Sequence, residues 1–339
     1  MGVDLSGLVT AERRAIADLA GKSVAIDAYN TIYQFLSSVR MPDGTPLRDG
    51  QGRVVSHLSG ILQRTTNLLS AGVRTVYVFD GVPHPLKMDT IVERRERKQR
   101  AEEEYREALA AGDIDRARSK AMQTSKVTDE IILDSRRLLD ALGVPYVSAP
   151  SEGEAQASHM ALRGDVWAAG SQDFDTLLFG APRLVRNMTI SGRRKLPRQK
   201  RYVDVLPEVI RLDRVLEDLG IDRAQLVDLA ILVGTDFNRG IRGIGPKKAL
   251  KYMREHGDLE SVIAVRGLEI PDYEEVRRIF LEPDVTDDYR LEWRMPDVDA
   301  VIELLVEEHD FSRSRVESSL RKVESFHEAA SQRSLEDFF

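Results

Sequence analysis

The stretch KSVAIDA, Lys22 to Ala28, is a short run of apolar and β-branched residues that ends in an aspartate. RTVYVFDG, Arg74 to Gly81, repeats this pattern and turns at a glycine directly after its own aspartate. Two further runs, GVPYVSAP at 143–150 and DVWAAGSQDFD at 165–175, have the same character. Because the runs are short and rich in β-branched residues, they favour strands over buried helices.

Helix-length patterns lie between these runs. HLSGILQRTTNLLSAG (57–72) precedes the second run, and TDEIILDSRRLLDALG (128–143) precedes the third. Strands that alternate with helices predict an α/β fold with a mostly parallel central sheet and helices on both faces. From about residue 210 the chain reads as helical, with a glycine-rich turn at 240–245.

Composition sets broad limits on the class of protein. The 339 residues are 42% hydrophobic and 31% charged, which is ordinary for a soluble domain, and no apolar run approaches a membrane span. The absence of cysteine excludes disulfides and thiolate metal sites and fits a reducing, cytoplasmic location. The net charge of −7 does not exclude nucleic acid, because ERRERKQR (93–100) and RRKLPRQKR (193–201) concentrate positive charge locally.

Two segments depart from the alternation. Residues 89–140 are highly charged and mostly helical in pattern, with an interruption at 111–113, which predicts an arch or lid above the sheet. Residues 186–203 predict a basic hairpin or loop around Ser191 and Gly192.

Acidic residues stand where the predicted strands end. Ligands of open parallel sheets bind outside the carboxyl ends of the strands, so we expect six of these acids to converge there, and a seventh to reach in from the helical part. The extended backbone expected at Asp173-x-Asp175 would turn both side chains to the same side. The set is Asp27, Asp80, Glu152, Glu154, Asp173, Asp175 and Asp236.

Several of these acids also have a simpler interpretation, and an Asp-x-Asp pattern on its own is common. Asp27 and Asp80 could be turn formers at strand ends, and Ser151-x-x-Glu154 is a capping-box pattern. However, seven carboxylates gathered in one place would repel one another and raise their pKa values unless cations neutralise them. Oxygen ligands without His or Cys select Mg²⁺ or Mn²⁺, and two such ions about 3.5–4 Å apart can hydrolyse a phosphodiester.

Five ordered blocks contain the seven acids: VAIDAYNTIYQFL (24–36), VYVFDGVPHPLK (76–87), APSEGEAQAS (149–158), GSQDFDTLLFG (170–180) and LVGTDFNRGIRGIGPKKAL (232–250). These blocks resemble the archaeal form of the flap endonuclease 1 family, whose members are structure-specific 5′ nucleases with two divalent metals. The resemblance places the metal ligands of the family on the same seven acids, with Asp80 and Glu152 also counted as catalytic. It implies two Mg²⁺ ions, for which Mn²⁺ can substitute.

The resemblance also implies roles for residues around the metals. Lys87 and Arg94 would share a helix face and polarise the scissile phosphate, whereas Arg95, Arg97 and Lys98 beside them read as a solvated face. Tyr33 would stack on a base near the cut, with a core tyrosine as the alternative. Gly2, after removal of the initiator Met, would lie beside the active site.

The glycine-rich turn resembles the family's helix-turn-helix element, which grips one duplex arm without reading its sequence. Backbone N–H groups before a helix and two lysines would contact phosphates through Gly243, Gly245, Lys247 and Lys248. The resemblance implies a potassium ion at 240–245. Gly240 lacks the hydroxyl that eukaryotic relatives offer this ion, so the carbonyls of Ile241 and Ile244 are the alternative ligands.

The last residues, QRSLEDFF, have the pattern of a peptide that binds the sliding clamp PCNA. One helical turn would insert three apolar anchors into a groove, with a glutamine at its rim. These residues are Gln332, Leu335, Phe338 and Phe339. The alternative is that the two rings fold back onto the body of the protein.

The resemblance implies one nuclease domain at 1–330 and a clamp-binding tail at 331–339. The domain comprises an N-terminal region (1–88), the helical arch (89–140), an internal region (141–258) with the helix-turn-helix at 226–256, and a C-terminal helical region (259–330). We expect a monomeric 5′ flap endonuclease with 5′–3′ exonuclease activity on branched DNA in Okazaki-fragment maturation and base excision repair. The alternatives are a relative that prefers nicks, gaps or bubbles, and a non-catalytic junction-binding clamp adaptor.

Overall fold

The computed structural model describes residues 2–41, 43–189 and 205–326 with their side chains, and the backbone alone of 193–195, 202–204 and 327–336. The strands are β1 Glu12–Arg13, β2 Ser23–Asp27, β3 Arg74–Phe79, β4 Tyr146–Ser148, β5 Ala168–Gly170, β6 Arg183–Arg186, β7 Arg193–Lys195, β8 Tyr202–Asp204 and β9 Glu208–Arg211.

The α-helices divide into two groups along the chain. The first group is α1 Ala28–Ser38, α2 Ser56–Ser70, α3 Met88–Ala110, α4 Ile114–Ala121, α5 Asp129–Ala141, α6 Gly153–Arg163 and α7 Asp175–Leu178. The second group is α8 Leu212–Leu219, α9 Arg223–Val233, α10 Pro246–His256, α11 Leu259–Arg266, α12 Tyr273–Leu281, α13 Val298–Ile302 and α14 Arg313–Glu336. A 3₁₀ turn at Pro85–Lys87 leads directly into α3.

The central sheet has seven strands in the order β1-β9-β6-β5-β2-β3-β4. Strands β2 to β6 run parallel, whereas β9 pairs antiparallel with both β6 and β1 at one edge. The prediction of a mostly parallel α/β sheet is therefore confirmed. Since β2 is central, with β3 and β5 beside it, the residues after these three strands emerge at one edge of the sheet.

Both faces of the sheet are covered by helices. Val24 and Ile26 of β2 point into a core shared with α1, α2, α5 and α14, while Ala25 between them packs on the α6 side. This alternation follows from the two-residue period of a strand. The extended segment 282–297 crosses the α6 side, where Trp293 Nε1–H donates to the carbonyl of Thr75 at 2.9 Å.

The helices α8 to α12 form a second core with α7 and the N-terminal residues. Within it, α9 and α10 are joined by the turn 234–245. This core lies next to the sheet through Leu184 and Ile210, so the helical part is packed against the sheet rather than tethered to it.

The charged segment 89–140 begins as two helices that pack on each other. α3 buries Ala101 and Ala108, and α4 buries Ala117 and Ala121, so the side chains that these helices bury are small. The predicted interruption at 111–113 is confirmed, with Asp113 capping α4. In contrast, α5 buries Ile131, Ile132, Leu138 and Leu139 in the main core. The part of the segment that stands off the core is therefore α3 and α4.

The hairpin after β6 differs from the prediction in its position. β7 pairs with β8 from Arg193↔Asp204 to Lys195↔Tyr202, so the connection between the strands spans 196–201 and lies outside the described residues. Ser191 and Gly192, around which the hairpin was predicted, also lie outside the described residues. Within the described part of the chain, no helix combines the length and the apolar character needed to cross a membrane.

Candidate metal centre

The seven acids occupy the ends of the central strands and the start of the next helices. Asp27 is the last residue of β2 and the N-cap of α1, and Asp80 follows β3 directly. Glu152 and Glu154 stand at the N-terminus of α6. Asp173 lies between β5 and α7, Asp175 is the first residue of α7, and Asp236 follows α9. Their convergence thus results from the strand order.

Mutual repulsion shows that these carboxylates share one region. Burial and then Asp80 raise the pKa of Asp27 well above its usual range, with Asp173 adding to the effect. Burial and Asp173 raise the pKa of Glu154 in the same way, and burial and Asp236 raise the pKa of Asp175 to about 7. Burial raises the pKa of Asp80 to about 6, against the attraction of Lys87 and with the help of Glu152. The interactions connect all seven acids.

Neutral donors hold five of the carboxylates. The N–H of Asn30 donates to Asp27 at 3.0 Å, the N–H of Gly153 to Asp80 at 2.7 Å, and the N–H of Val3 to Asp175 at 2.8 Å. The side-chain amide of Asn30 donates to Asp173 at 3.1 Å. Glu154 accepts from the hydroxyl groups of Ser171 and Thr176.

Cations hold the other two carboxylates. The ammonium of Lys87 contacts Glu152, and the guanidinium of Arg94 lies 2.6 Å from Asp236. Burial alone would lower the pKa of Lys87, but Glu152 and neighbouring acids raise it above its usual value. Burial would raise the pKa of Asp236, but nearby positive charge, including Arg94 and Lys87, lowers it. Lys87 therefore stays charged at this edge of the sheet.

The donor set fits hard divalent cations. It consists of carboxylate oxygens, which Mg²⁺ and Mn²⁺ prefer, and the repulsion among them would be relieved by added positive charge. Among the residues with described side chains, no three acids already surround a single point as a complete ligand set. An ion bound here would compete with Lys87 and Arg94 for the charge of Glu152 and Asp236.

Two interpretations made from the sequence are wrong. The capping box at Ser151-x-x-Glu154 does not form, since the N-cap is Glu152 without a side-chain cap bond and Glu154 turns to Ser171. Asp173-x-Asp175 is not extended, because Phe174 between them has the helical angles φ −77° and ψ −9° and is the N-cap of α7. The two aspartates instead reach different donors.

Gly2 lies against the same centre. A Cβ on this residue would be 2.3 Å from Oδ1 of Asp175, so no larger residue fits without a shift. The next residue, Val3, is buried and donates its N–H to that oxygen. The chain start is thus packed beside a predicted metal ligand.

Tyr33 is half-buried on α1, and a cation covers its ring. The ammonium of Lys98 lies 5.0 Å from the ring centroid, which is within the range of cation–π attraction. Lys98 is therefore half-buried and does not belong to a fully solvated face, whereas Arg95 and Arg97 are exposed as expected.

The turn 240–245 is built around glycine. Gly240 has φ +64°, and a Cβ there would be 2.3 Å from the carbonyl oxygen of Val233, which excludes a hydroxyl side chain without rearrangement. Gly243 has φ +87°, and Gly245 caps α10. Lys247 and Lys248 are exposed in the first turn of that helix. The carbonyl of Ile241 accepts the N–H of Ile244 at 3.0 Å.

The predicted clamp-binding residues stand at the end of α14 and after it in the sequence. Gln332 and Leu335 lie in the end of α14, where the backbone alone is described. Phe338 and Phe339 lie outside the described residues.

The sequence reasoning missed the residues that orient the acids. Asn30, Ser171 and Thr176 carry no charge and match no metal-ligand pattern. Asn30 had one signal, because it follows the N-cap Asp27 by three residues, where an N-cap side chain finds its backbone donor. Ser171 and Thr176 had no signal, since their contact with Glu154 depends on tertiary structure.

Comparison with known proteins agrees with this arrangement. Residues 4–101 match the XPG N-terminal domain, and residues 143–236 match the XPG I-region. Flap endonuclease 1 of Archaeoglobus fulgidus is 50% identical over 339 residues, which cover 100% of both chains. Flap endonuclease 1 of Ignicoccus hospitalis is 53% identical over 91% of this chain and 88% of the relative.

Solved structures agree as well. Flap endonuclease-1 from Methanococcus jannaschii has a TM-score of 0.77 and 42% identity, with 96% of this chain and 98% of that chain covered. The catalytic core of Rad2 in complex with a DNA substrate has a TM-score of 0.70 and 25% identity, with coverage of 92% and 96%. The chain therefore belongs to the flap endonuclease 1 family, and it is a nuclease that hydrolyses DNA.

Proposed function

We propose that this structure-specific 5′ flap nuclease hydrolyses phosphodiesters of branched DNA with two divalent metal ions, Mg²⁺ or Mn²⁺. The observation that carries the proposal is the set of seven carboxylates at one sheet edge, where burial and neighbouring acids raise the pKa values of Asp27, Asp80, Glu154 and Asp175. When bound there, the ions would supply activation of water and stabilisation of the leaving oxygen.

We assign the ligands to Asp27, Asp80, Glu152, Glu154, Asp173, Asp175 and Asp236. Two of them, Glu152 and Asp236, are paired with cations in this structure. Displacement of Lys87 and Arg94 from these carboxylates would free both positive charges for the phosphate that is cut. Positive charge held at a reacting phosphate stabilises the charge that develops on its oxygens.

The remaining predicted sites serve to hold the DNA. The exposed lysines 247 and 248, with the N–H groups at Gly243 and Gly245, would contact the phosphates of one duplex arm at the start of α10, within a helix-turn-helix at 226–256. A potassium ion at this turn would use carbonyl oxygens, because Gly240 has neither a hydroxyl nor room for one. Tyr33 would stack on a base once Lys98 leaves its ring.

The arch of α3 and α4 would guide the 5′ single strand to the metals. Discrimination would depend on the shape of the junction and on phosphate contacts, not on base edges. We propose one nuclease domain at 1–330, monomeric, with a tail at 331–339 that binds the sliding clamp PCNA through Gln332, Leu335, Phe338 and Phe339. Such a nuclease, with both flap and 5′–3′ exonuclease activities, would act in Okazaki-fragment maturation and base excision repair.

The test compares two labelled DNA substrates of matched sequence, one with a 5′ flap and one with a bubble. We expect Mg²⁺-dependent release of the flap, loss of cleavage with a chelator, and recovery when Mg²⁺ or Mn²⁺ is added back. Faster cleavage of the bubble would instead favour a relative of different substrate preference. Binding of the flap substrate without any cleavage would favour the non-catalytic adaptor.

A further inference from the structure

Asn30 contacts two of the proposed metal ligands from one position. It is the third residue of α1, and its N–H donates to Oδ1 of Asp27, the N-cap of that helix, at 3.0 Å. Its side-chain amide donates to Oδ2 of Asp173 at 3.1 Å, across 143 residues of sequence. Asp27 is the last residue of β2 and Asp173 follows the neighbouring parallel strand β5, so Asn30 joins the ends of both strands.

Charge explains why a neutral donor suits this place. Asp27 and Asp173 both accept a hydrogen bond from Asn30, and two carboxylates placed in this way repel each other, so something must hold them together. A cation would do so but would also compete with a metal ion for their charge, as Lys87 and Arg94 do at Glu152 and Asp236. An amide uses one lone pair of each carboxylate and leaves its negative charge available.

Asp173 has few other means of orientation. Its own N–H donates to Ser171 Oγ at 3.1 Å, which holds its backbone. Among the residues with described side chains, Asn30 is the one that donates a hydrogen bond to the carboxylate of Asp173. A carboxylate with one such donor would otherwise be free to rotate.

We propose that Asn30 is a positioning residue for the metal centre, which orients the Asp173 carboxylate so that its second oxygen is presented to a divalent ion. The inference rests on the proposed function, since it assumes that Asp173 is a ligand. Asn30 itself does not bind the ion. Loss of a hydrogen bond that orients a metal ligand typically weakens metal affinity tenfold to 100-fold.

The first measurement is calorimetric titration of the full chain with Mn²⁺ alone, without DNA. Asn30→Leu keeps the size of the side chain and the backbone N–H bond to Asp27, and removes only the amide. We expect roughly tenfold weaker Mn²⁺ binding. The matched control is Gln34→Met, one turn further along α1, where the amide oxygen accepts from Thr189 at 2.6 Å and contacts no acid. We expect this control to bind Mn²⁺ as the parent does.

A double-mutant cycle with Asp173→Asn then tests the route of the effect. If Asn30 acts through Asp173, adding Asn30→Leu to Asp173→Asn should weaken Mn²⁺ binding by less than about twofold. Fully additive losses would overturn the inference, and so would unchanged binding by Asn30→Leu. Unchanged binding by Asp173→Asn alone would instead overturn the ligand assignment in the proposed function.

Folding of the variants is checked by their thermal midpoints. If Asn30→Leu does not fold, Asn30→Ser carries the same measurement, because its shorter hydroxyl lacks the reach of the amide. A Mg²⁺ titration of single-turnover cleavage supplies a second readout. We expect Asn30→Leu to raise the half-saturating Mg²⁺ concentration more than it lowers the rate at saturation. The reverse pattern would contradict a role in metal positioning.

Discussion

The guanidinium of Arg94 lies 2.6 Å from the carboxylate of Asp236, and this ion pair joins the charged helix α3 to the turn that follows α9. A second contact runs in parallel, since the hydroxyl of Thr90 donates to the carbonyl of Asp236 at 2.8 Å. The arch is therefore attached at its base to the helical part of the protein. One of the attaching residues is Arg94, which we expect to contact the phosphate that is cut.

Arg94→Ala should slow cleavage more than it weakens DNA binding. Removal of a charge that stabilises the developing phosphate charge costs about 100-fold to 1,000-fold in rate. Single-turnover cleavage in Mg²⁺ and fluorescence anisotropy in Ca²⁺ measure the two effects. The control is Arg95→Ala, because Arg95 is the exposed neighbour on the same helix. Equal losses by both variants would show that the effect is one of general charge.

Asp173→Asn should abolish cleavage in Mg²⁺ and leave binding of flap DNA in Ca²⁺ largely intact. The amide keeps the shape of the side chain and removes the charge that attracts a metal ion. Asp287→Asn is the matched control, since this aspartate is exposed and pairs with His159 and Arg163. Retained cleavage by Asp173→Asn would refute the role of Asp173.

Gly2→Ala should reduce the cleavage rate by roughly tenfold or more, because a small displacement of catalytic groups is costly. The added methyl would be 2.3 Å from Oδ1 of Asp175, so that carboxylate must move. At Gly7, an added Cβ meets no atom within 4 Å, so Gly7→Ala is the control. Cleavage by Gly2→Ala at the parent rate would mean that the chain start adjusts without disturbing Asp175.

Phe338→Ala combined with Phe339→Ala should abolish stimulation by the sliding clamp while basal cleavage persists. The two rings are expected to be anchors in the clamp's groove and contribute nothing to the metal centre. Cleavage of a 5′ flap with and without clamp is the measurement, and Arg333→Ala, between Gln332 and Leu335, is the control. If stimulation survives the double substitution, the rings serve another purpose.

A final prediction concerns stability and pH. His57 on α2 is fully buried, and burial followed by the charge of His309 lowers its pKa to about 3. Within the described residues, neither ring nitrogen of His57 has a hydrogen-bond partner. The unfolded chain takes up this proton near pH 6.5 and the folded chain does not, so stability is lost as the pH falls below 6.5.

The size of this loss follows from linkage. The free energy of unfolding should fall by up to about 1.4 kcal/mol per pH unit between pH 6.5 and pH 3 because of His57. His57→Leu should remove this contribution to the pH dependence of the free energy of unfolding. Urea unfolding should show that, from pH 7 to pH 5, the free energy of unfolding falls by roughly 2 kcal/mol less in the variant than in the parent protein. Parallel drops in both proteins would show that His57 is protonated in the folded state.

Much of this architecture can be predicted from local pattern. The β-branched runs at Lys22–Ala28 and Arg74–Gly81 predict parallel strands, and the acids that end them predict a site at one sheet edge. These predictions succeed because a strand's alternation and its ending are properties of adjacent residues. The helix interruption at 111–113 could be predicted for the same reason, since a glycine and a capping aspartate act within one turn.

The predictions that failed concern contacts between residues far apart in sequence. Glu154 turns away from its own helix terminus because Ser171 lies beside it, and Lys98 is half-buried because the arch brings it over Tyr33. The pairing of Lys87 with Glu152 and of Arg94 with Asp236 likewise comes from the docking of α3. The sequence by itself determined which carboxylates stand at strand ends. Only the tertiary structure decided which donor or cation each one meets, because those partners approach through space.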